Sequence, residues 1–158
     1  MNNVYVLSGY FAEAAIGPLH TGHKEYIQSV IDLSKEGDII IVIVNNDKQR
    51  SKKYSNKTIG SQYSTNLIVE EIKKTFPNVY VKVSISDDKT VRDDLEKIRW
   101  FYDGRKYEIT FVKDGGEYTP DNLPELSVDY INFLFLENKK KGSASDIIAD
   151  WENSKENK

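Results

Sequence analysis

The sequence predicts an α/β protein, a doubly wound, mostly parallel five-stranded sheet with helices on both faces. Three observations carry this. Apolar runs of strand length alternate with amphipathic stretches of helical length, the order that builds right-handed βαβ units. The run Ile39-Ile40-Ile41-Val42-Ile43-Val44 is apolar at every position, as a central strand of a parallel sheet covered on both faces requires. Turn-forming residues punctuate the runs at Ser8-Gly9, Gly37, Asn45-Asn46-Asp47, Pro77-Asn78 and Asp114-Gly115-Gly116, which marks connections there.

Taken in order, Val4 to Leu7 reads as a buried strand closed by Ser8-Gly9, and a long turn follows from Gly9 to Pro18. Tyr26, Ile27, Val30 and Ile31 then recur at helical spacing from about Thr21, with Gly37 as the expected C-terminal stop. Ile39–Val44 is the second strand and ends in Asn45-Asn46-Asp47. A polar, basic loop leads to a helix expected over 61–75, with Leu67, Ile68, Ile72 and Phe76 on one side and Pro77-Asn78 as its breaker. Val79 to Ile85 alternates and reads as a third strand nearer an edge. Thr90 to Phe101 is amphipathic helix through Val91, Leu95 and Ile98. Ile109 to Val112 is the fourth strand, and Asn122 to Glu125 a short helix or turn. Tyr130 to Leu136 is the fifth strand, and Ser143 opens a final helix. The whole is a Rossmann-like arrangement.

The 158 residues suit one domain, read as 1–152, with a polar tail over 153–158 that has too little apolar surface to pack. A net charge of −3 argues against nucleic-acid binding through a broad basic surface. Cysteine is absent, which removes disulfides, thiolate metal sites and a cysteine nucleophile. No apolar run approaches the roughly 20 residues of a membrane span, and the N-terminus lacks the pattern of a signal peptide. A cytoplasmic protein without membrane or nucleic-acid partners is expected. Trp100, Phe101 and Tyr102, on or near one helix, read equally as core or as the interface of a homodimer.

In a doubly wound sheet the ligand sits outside the carboxyl ends of the strands, where strand order reverses. Four loops on that edge carry chemistry. The two histidines of the chain, His20 and His23, flank Gly22 at the start of the first helix, where backbone N–H groups and the helix dipole favour an anion. The same residues would serve structure alone as a surface turn, with Thr21 as a helix cap. Lys48, Arg50, Lys52 and Lys53 follow the second strand and would neutralise phosphate oxygens, although charge runs in loops are commonly only solvated. Asp114-Gly115-Gly116-Glu117, after the fourth strand, is either a plain turn or a surface on which a flat base or ribose presses against backbone. Lys139-Lys140-Lys141 precede Gly142-Ser143-Ala144-Ser145, a helix start offering N–H groups and hydroxyls to terminal phosphates, and equally a capping box through Ser143 and Asp146.

These segments together resemble the cytidylyltransferase-like nucleotidyltransferase superfamily, which includes glycerol-3-phosphate cytidylyltransferase and heptose-phosphate adenylyltransferase. Gly9-Tyr10-Phe11 followed by Pro18-Leu19-His20-Thr21-Gly22-His23 is similar to its G-x-F-D-x-L-H-x-G-H signature. Val44-Asn45-Asn46-Asp47, Val112-Lys113-Asp114-Gly115-Gly116-Glu117-Tyr118-Thr119-Pro120 and Lys141-Gly142-Ser143-Ala144-Ser145-Asp146-Ile147 resemble three later signatures in the same order. The resemblance implies transfer of a nucleoside monophosphate from CTP or ATP to a phosphorylated sugar or polyol, with Mg²⁺ as cofactor and pyrophosphate as product. It implies that His20 and His23 stabilise the reacting phosphate and that Lys52 or Lys53 bridges the two substrates. Gly9, Tyr10, Phe11, Gly22, Asp114, Gly115, Gly116, Lys141, Ser143, Ala144 and Ser145 would surround the nucleotide. The chain departs from the pattern in a longer stretch from Ala12 to Gly17 and in Tyr63-Ser64-Thr65-Asn66, where an arginine is usual. A catalytically silent nucleotide-binding or regulatory protein on the same fold is the alternative these departures raise.

Overall fold

The computed structural model describes residues 2–9, 21–49, 65–87, 90–102, 105–114, 128 and 130–136. The apolar runs form the strands β1 (Asn2–Gly9), β2 (Ile39–Val44), β3 (Tyr80–Val83), β4 (Tyr107–Asp114) and β5 (Asn132–Leu136). Helices α1 (Thr21–Leu33), α2 (Thr65–Thr75) and α3 (Arg92–Phe101) lie between them. One sheet holds all five strands in the order β3-β2-β1-β4-β5, and every neighbouring pair is parallel. The mostly parallel sheet expected from the sequence is thus parallel throughout its described strands. The expected helix starts at 61–64, 122–125 and 143 lie outside the described residues.

Residue alternation in β2 splits the core into two layers. Ile40, Val42 and Val44 face α1 and α2, packing with Leu7, Val112, Tyr26, Ile27, Val30, Ile68 and Ile72. Ile43 faces α3, with Val4, Val6, Ile109, Phe111, Leu95 and Ile98, and Ile39 and Ile41 pack partly buried beside them. Both faces of β2 are thus packed, the α3 face less completely at Ile39 and Ile41, which accounts for an apolar residue at every position. Val4, Val6, Leu7, Ile27, Val42, Ile43, Val44, Ile68, Ile72, Leu95 and Val112 are wholly excluded from solvent, each worth roughly 1.5–3 kcal/mol of burial.

Where element bounds differ from expectation, polar residues explain it. β1 begins at Asn2 because Asn2 and Asn3 pair in register with Tyr107 and Glu108, while Asp38 accepts the Asn3 N–H at 2.9 Å. A hydrophobic pattern does not register such residues. Burial works against the Asp38 carboxylate, but the N–H groups of Asn3 and Lys35, the Asn2 amide and the Lys35 charge outweigh it and hold its pKa below the usual carboxylate range. α1 ends at Leu33, ahead of Gly37, where the Ser34 hydroxyl bonds back to the Ile31 carbonyl at 2.7 Å and the Ser34 N–H to that of Val30 at 3.1 Å. Gly37, at φ 89°, instead turns the chain into β2, where a Cβ would collide with the Asn2 amide. β3 is short and lies at the sheet's edge, as its alternating sequence predicts.

Candidate active site

The chain builds β1, β2 and β3 in one direction and then crosses to β4 and β5 on the other side of β1. Strand order therefore reverses between β1 and β4, and the crevice outside their carboxyl ends is the place where such sheets hold ligands. Gly9 ends β1 there and Asp114 ends β4.

Helix α1 starts on the same edge. Gly22 and His23 occupy its first turn, with His23 half-buried. One turn further on, Tyr26 is buried, and its hydroxyl donates a hydrogen bond to the Val112 carbonyl of β4. Helical spacing places His23 and Tyr26 on one face, so the bond ties the histidine-bearing turn to the strand across the reversal. Opposite it, Lys113 reaches from β4 to β1, its ammonium 3.3 Å from the Ser8 carbonyl and 3.4 Å from the Ser8 hydroxyl, and it is only 9% exposed. A buried cation next to the crevice raises the local potential for an anion.

The loop after β2 is built as a scaffold. The Asn45 N–H bonds to the Gly9 carbonyl at 3.0 Å, fastening it to the end of β1. Asn46 and Gln49 form a reciprocal capping box: the Gln49 N–H donates to the Asn46 side-chain oxygen, and the Asn46 N–H donates to the Gln49 side-chain oxygen, each at 2.8 Å. Their amide groups also donate to the carbonyls of Ser84, Ser86 and Thr90, which joins this loop to the one after β3. Asp47 then receives the N–H and hydroxyl of Thr65 at the start of α2. Asp47 and Thr65, on either side of the basic segment, are thereby held together as a closed stem on the carboxyl edge.

The loop after β3 has its own anchor. Asp94, fully buried on α3, accepts the hydroxyls of Ser84 at 2.6 Å and Ser86 at 3.2 Å and the Ile85 N–H at 3.0 Å. Lys82 supplies a countercharge at 3.1 Å. These groups satisfy a carboxylate that would otherwise be costly to bury.

Among the expected site residues, Gly9, Gly22, His23 and Asp114 are brought to this one edge. His20, Tyr10, Phe11, Lys52, Lys53, Gly115, Gly116, Lys141, Ser143, Ala144 and Ser145, with Arg50 of the basic loop, lie outside the described residues. Lys48 turns away to an exposed ion pair with Asp87 at 3.1 Å, a contact of small energy. Sequence reasoning passed over Ser8, Tyr26 and Lys113 as site residues. The signal for Lys113 was a lysine continuing a strand otherwise apolar at Ile109, Phe111 and Val112; for Tyr26 it was a hydroxyl on the buried face of a helix. Among the described residues no three His, Asp or Glu side chains gather as a metal site. Mg²⁺ carried largely by phosphate oxygens and one or two carboxylates needs no such cluster.

The fold defines a class: a parallel, doubly wound α/β protein whose strand order reverses between β1 and β4. Within that class the chain is similar to the crystal structure of a bifunctional NMN adenylyltransferase/ADP ribose pyrophosphatase from Francisella tularensis, with a TM-score of 0.59 over 98% of this chain at 14% identity. The chain spans 43% of that protein's length. No protein-family model matches the sequence, and no curated protein matches it. The likeness is one of fold. No described helix is long and apolar enough to cross a membrane.

Proposed function

We propose that the protein is a nucleotidyltransferase, which moves a nucleoside monophosphate from CTP or ATP onto a phosphorylated small molecule and releases pyrophosphate. The observation that carries this reading is the placement of His23, on the first turn of α1, at the β1/β4 reversal, held there through the Tyr26 bond to Val112. A helix start and an imidazole side by side suit a phosphate whose charge grows as the bond to pyrophosphate breaks. The attacking acceptor phosphate is already an anion, so positioning and charge stabilisation suffice and no general base is required. Lys113 adds buried positive charge beside β1. His20, Lys52 and Lys53 belong to the same proposal through the sequence resemblance, as does Mg²⁺, which would arrive on the triphosphate and offset its charge. The similar fold of a protein whose described activity includes NMN adenylylation supports a phosphorylated acceptor, and NMN joins the sugar and polyol phosphates as a candidate.

The test is a pyrophosphate-release screen of the four NTPs against sugar phosphates, polyol phosphates and NMN, with His23→Ala in parallel. Turnover with one pair and a loss of about 10²-fold or more in the variant is the expected outcome. Equal rates in the two proteins would overturn the site. One observation favours a second reading, a nucleotide-binding protein without turnover: Thr65 stands in the segment where the family pattern carries arginine, and it is buried and bonded to Asp47. Nucleotide-dependent thermal stabilisation with no turnover across the screen would select that reading.

A further inference from the structure

The two central strands fork at their carboxyl ends. β1 and β4 pair in register through Leu7 and Val112, whereas β1 continues beside β2 to Gly9 and Val44, and β4 beside β5 to Asp114 and Leu136. The fork therefore opens where strand order reverses. Main-chain groups released from a ladder but still buried need other partners. The Gly9 carbonyl accepts the Asn45 N–H at 3.0 Å on the β2 side. Successive carbonyls of a strand point to opposite neighbours, so the Ser8 carbonyl faces β4, and there the Lys113 ammonium meets it at 3.3 Å. The same ammonium reaches the Ser8 hydroxyl at 3.4 Å and lies 5.8 Å from the centre of the Phe111 ring. Phe111 is itself fixed in the core layer beneath α3. A carbonyl, a hydroxyl and a ring together give the lysine head a defined seat. On the other face of the sheet, the Tyr26 hydroxyl takes the Val112 carbonyl of β4. Side chains thus hold both arms of the fork.

We propose that Lys113 is a positioning residue that props this fork, fixing the width of the crevice between the ends of β1 and β4. It supplies to the Ser8 carbonyl the donor that a main-chain N–H of β4 would supply in a closed ladder. A main-chain bond would draw the strands to roughly 4.8 Å apart and shut the mouth. A lysine stem satisfies the same carbonyl across a wider gap. The hold passes along the chain, because the Ser8-Gly9 end of β1 also carries the Asn45 N–H and with it the start of the loop after β2. The consequence for substrate rests on the nucleotidyltransferase reading: a nucleoside triphosphate meets a mouth already set at its working width, so binding does not have to order it. Loss of the prop should therefore weaken nucleotide binding more than it slows the chemical step.

Amide hydrogen exchange and initial rates on Lys113→Met, Lys113→Arg and the parent test this. Methionine keeps an apolar stem without the donor, and arginine keeps donors. Should Lys113→Met not fold, Lys113→Gln, too short to span the fork, takes its place. In Lys113→Met the Asn45 amide is expected to exchange about tenfold faster, with Val4 to Val6 in the closed ladder unchanged, and Lys113→Arg should restore most of the protection. Unchanged exchange at Asn45, or an equal rise along all of β1 as a general loss of stability would give, overturns the prop. In pyrophosphate release, the nucleotide KM of Lys113→Met should rise about tenfold with a smaller fall in kcat, and Lys113→Arg should recover it. A parental KM in Lys113→Met overturns the link to the nucleotide. If the parent itself turns over no nucleotide, the nucleotidyltransferase reading fails, and the exchange measurement alone decides the prop.

Discussion

The Asp47 carboxylate holds Thr65 by two donors at once, the backbone N–H at 2.9 Å and the hydroxyl at 2.6 Å. Asp47 leaves the end of β2 and Thr65 opens α2, so one carboxylate caps a helix start and closes the stem of the basic segment between them. The negative charge also complements the α2 dipole.

Asp47→Ala is therefore expected to lower stability by about 1–2 kcal/mol, the usual cost of a lost cap. Because the stem would open, substrate KM should rise more than kcat falls. Urea unfolding and initial-rate kinetics read the two effects separately, and a variant with unchanged KM would show that the stem does not position the segment it closes.

Tyr26→Phe removes one hydroxyl and leaves the ring in place. The expected cost is about 1 kcal/mol, that of a buried hydrogen bond, seen as a lower urea midpoint with an unchanged slope. Pyrophosphate release should fall as well, by less than in His23→Ala, since the histidine-bearing turn is loosened and not deleted.

Asp94→Ala strips a buried acceptor from Ser84, Ser86, the Ile85 N–H and Lys82. Losing a buried charge with its donors left behind costs about 3 kcal/mol or more, reduced here because Lys82 remains partly exposed and can rehydrate. Thermal denaturation should show the largest loss of the variants described above.

Asp38 gives a pH signature. Its folded pKa lies below the usual value, so its contribution is present above the unfolded carboxylate pKa of about 4 and is lost as pH falls through the lower folded value. Asp38→Asn should be less stable than the parent at neutral pH, with the gap closing in acid. Urea midpoints at neutral and strongly acidic pH check this, and a gap that widens in acid would refute it.

The sequence by itself determined the elements and the class of fold. Ile39–Val44 could only be a doubly covered strand, the helical spacing from Tyr26 to Ile31 could only bury one stripe, and alternating units of this kind place every strand's carboxyl end on one edge. Gly9, Gly22, His23 and Asp114 therefore reach that edge by local pattern alone. Tertiary structure decided the rest. The bonds from Lys113 to Ser8 and from Tyr26 to Val112 join residues 105 and 86 positions apart. They depend on which strand lies beside β1 and in what register, and a slip of one residue would send each side chain to the opposite face. The packing of Ile43 with Leu95 and Ile98 is likewise set by where α3 crosses the sheet. No periodicity within α3 records that path, because a helix's own pattern shows which stripe is apolar and not what lies beneath it.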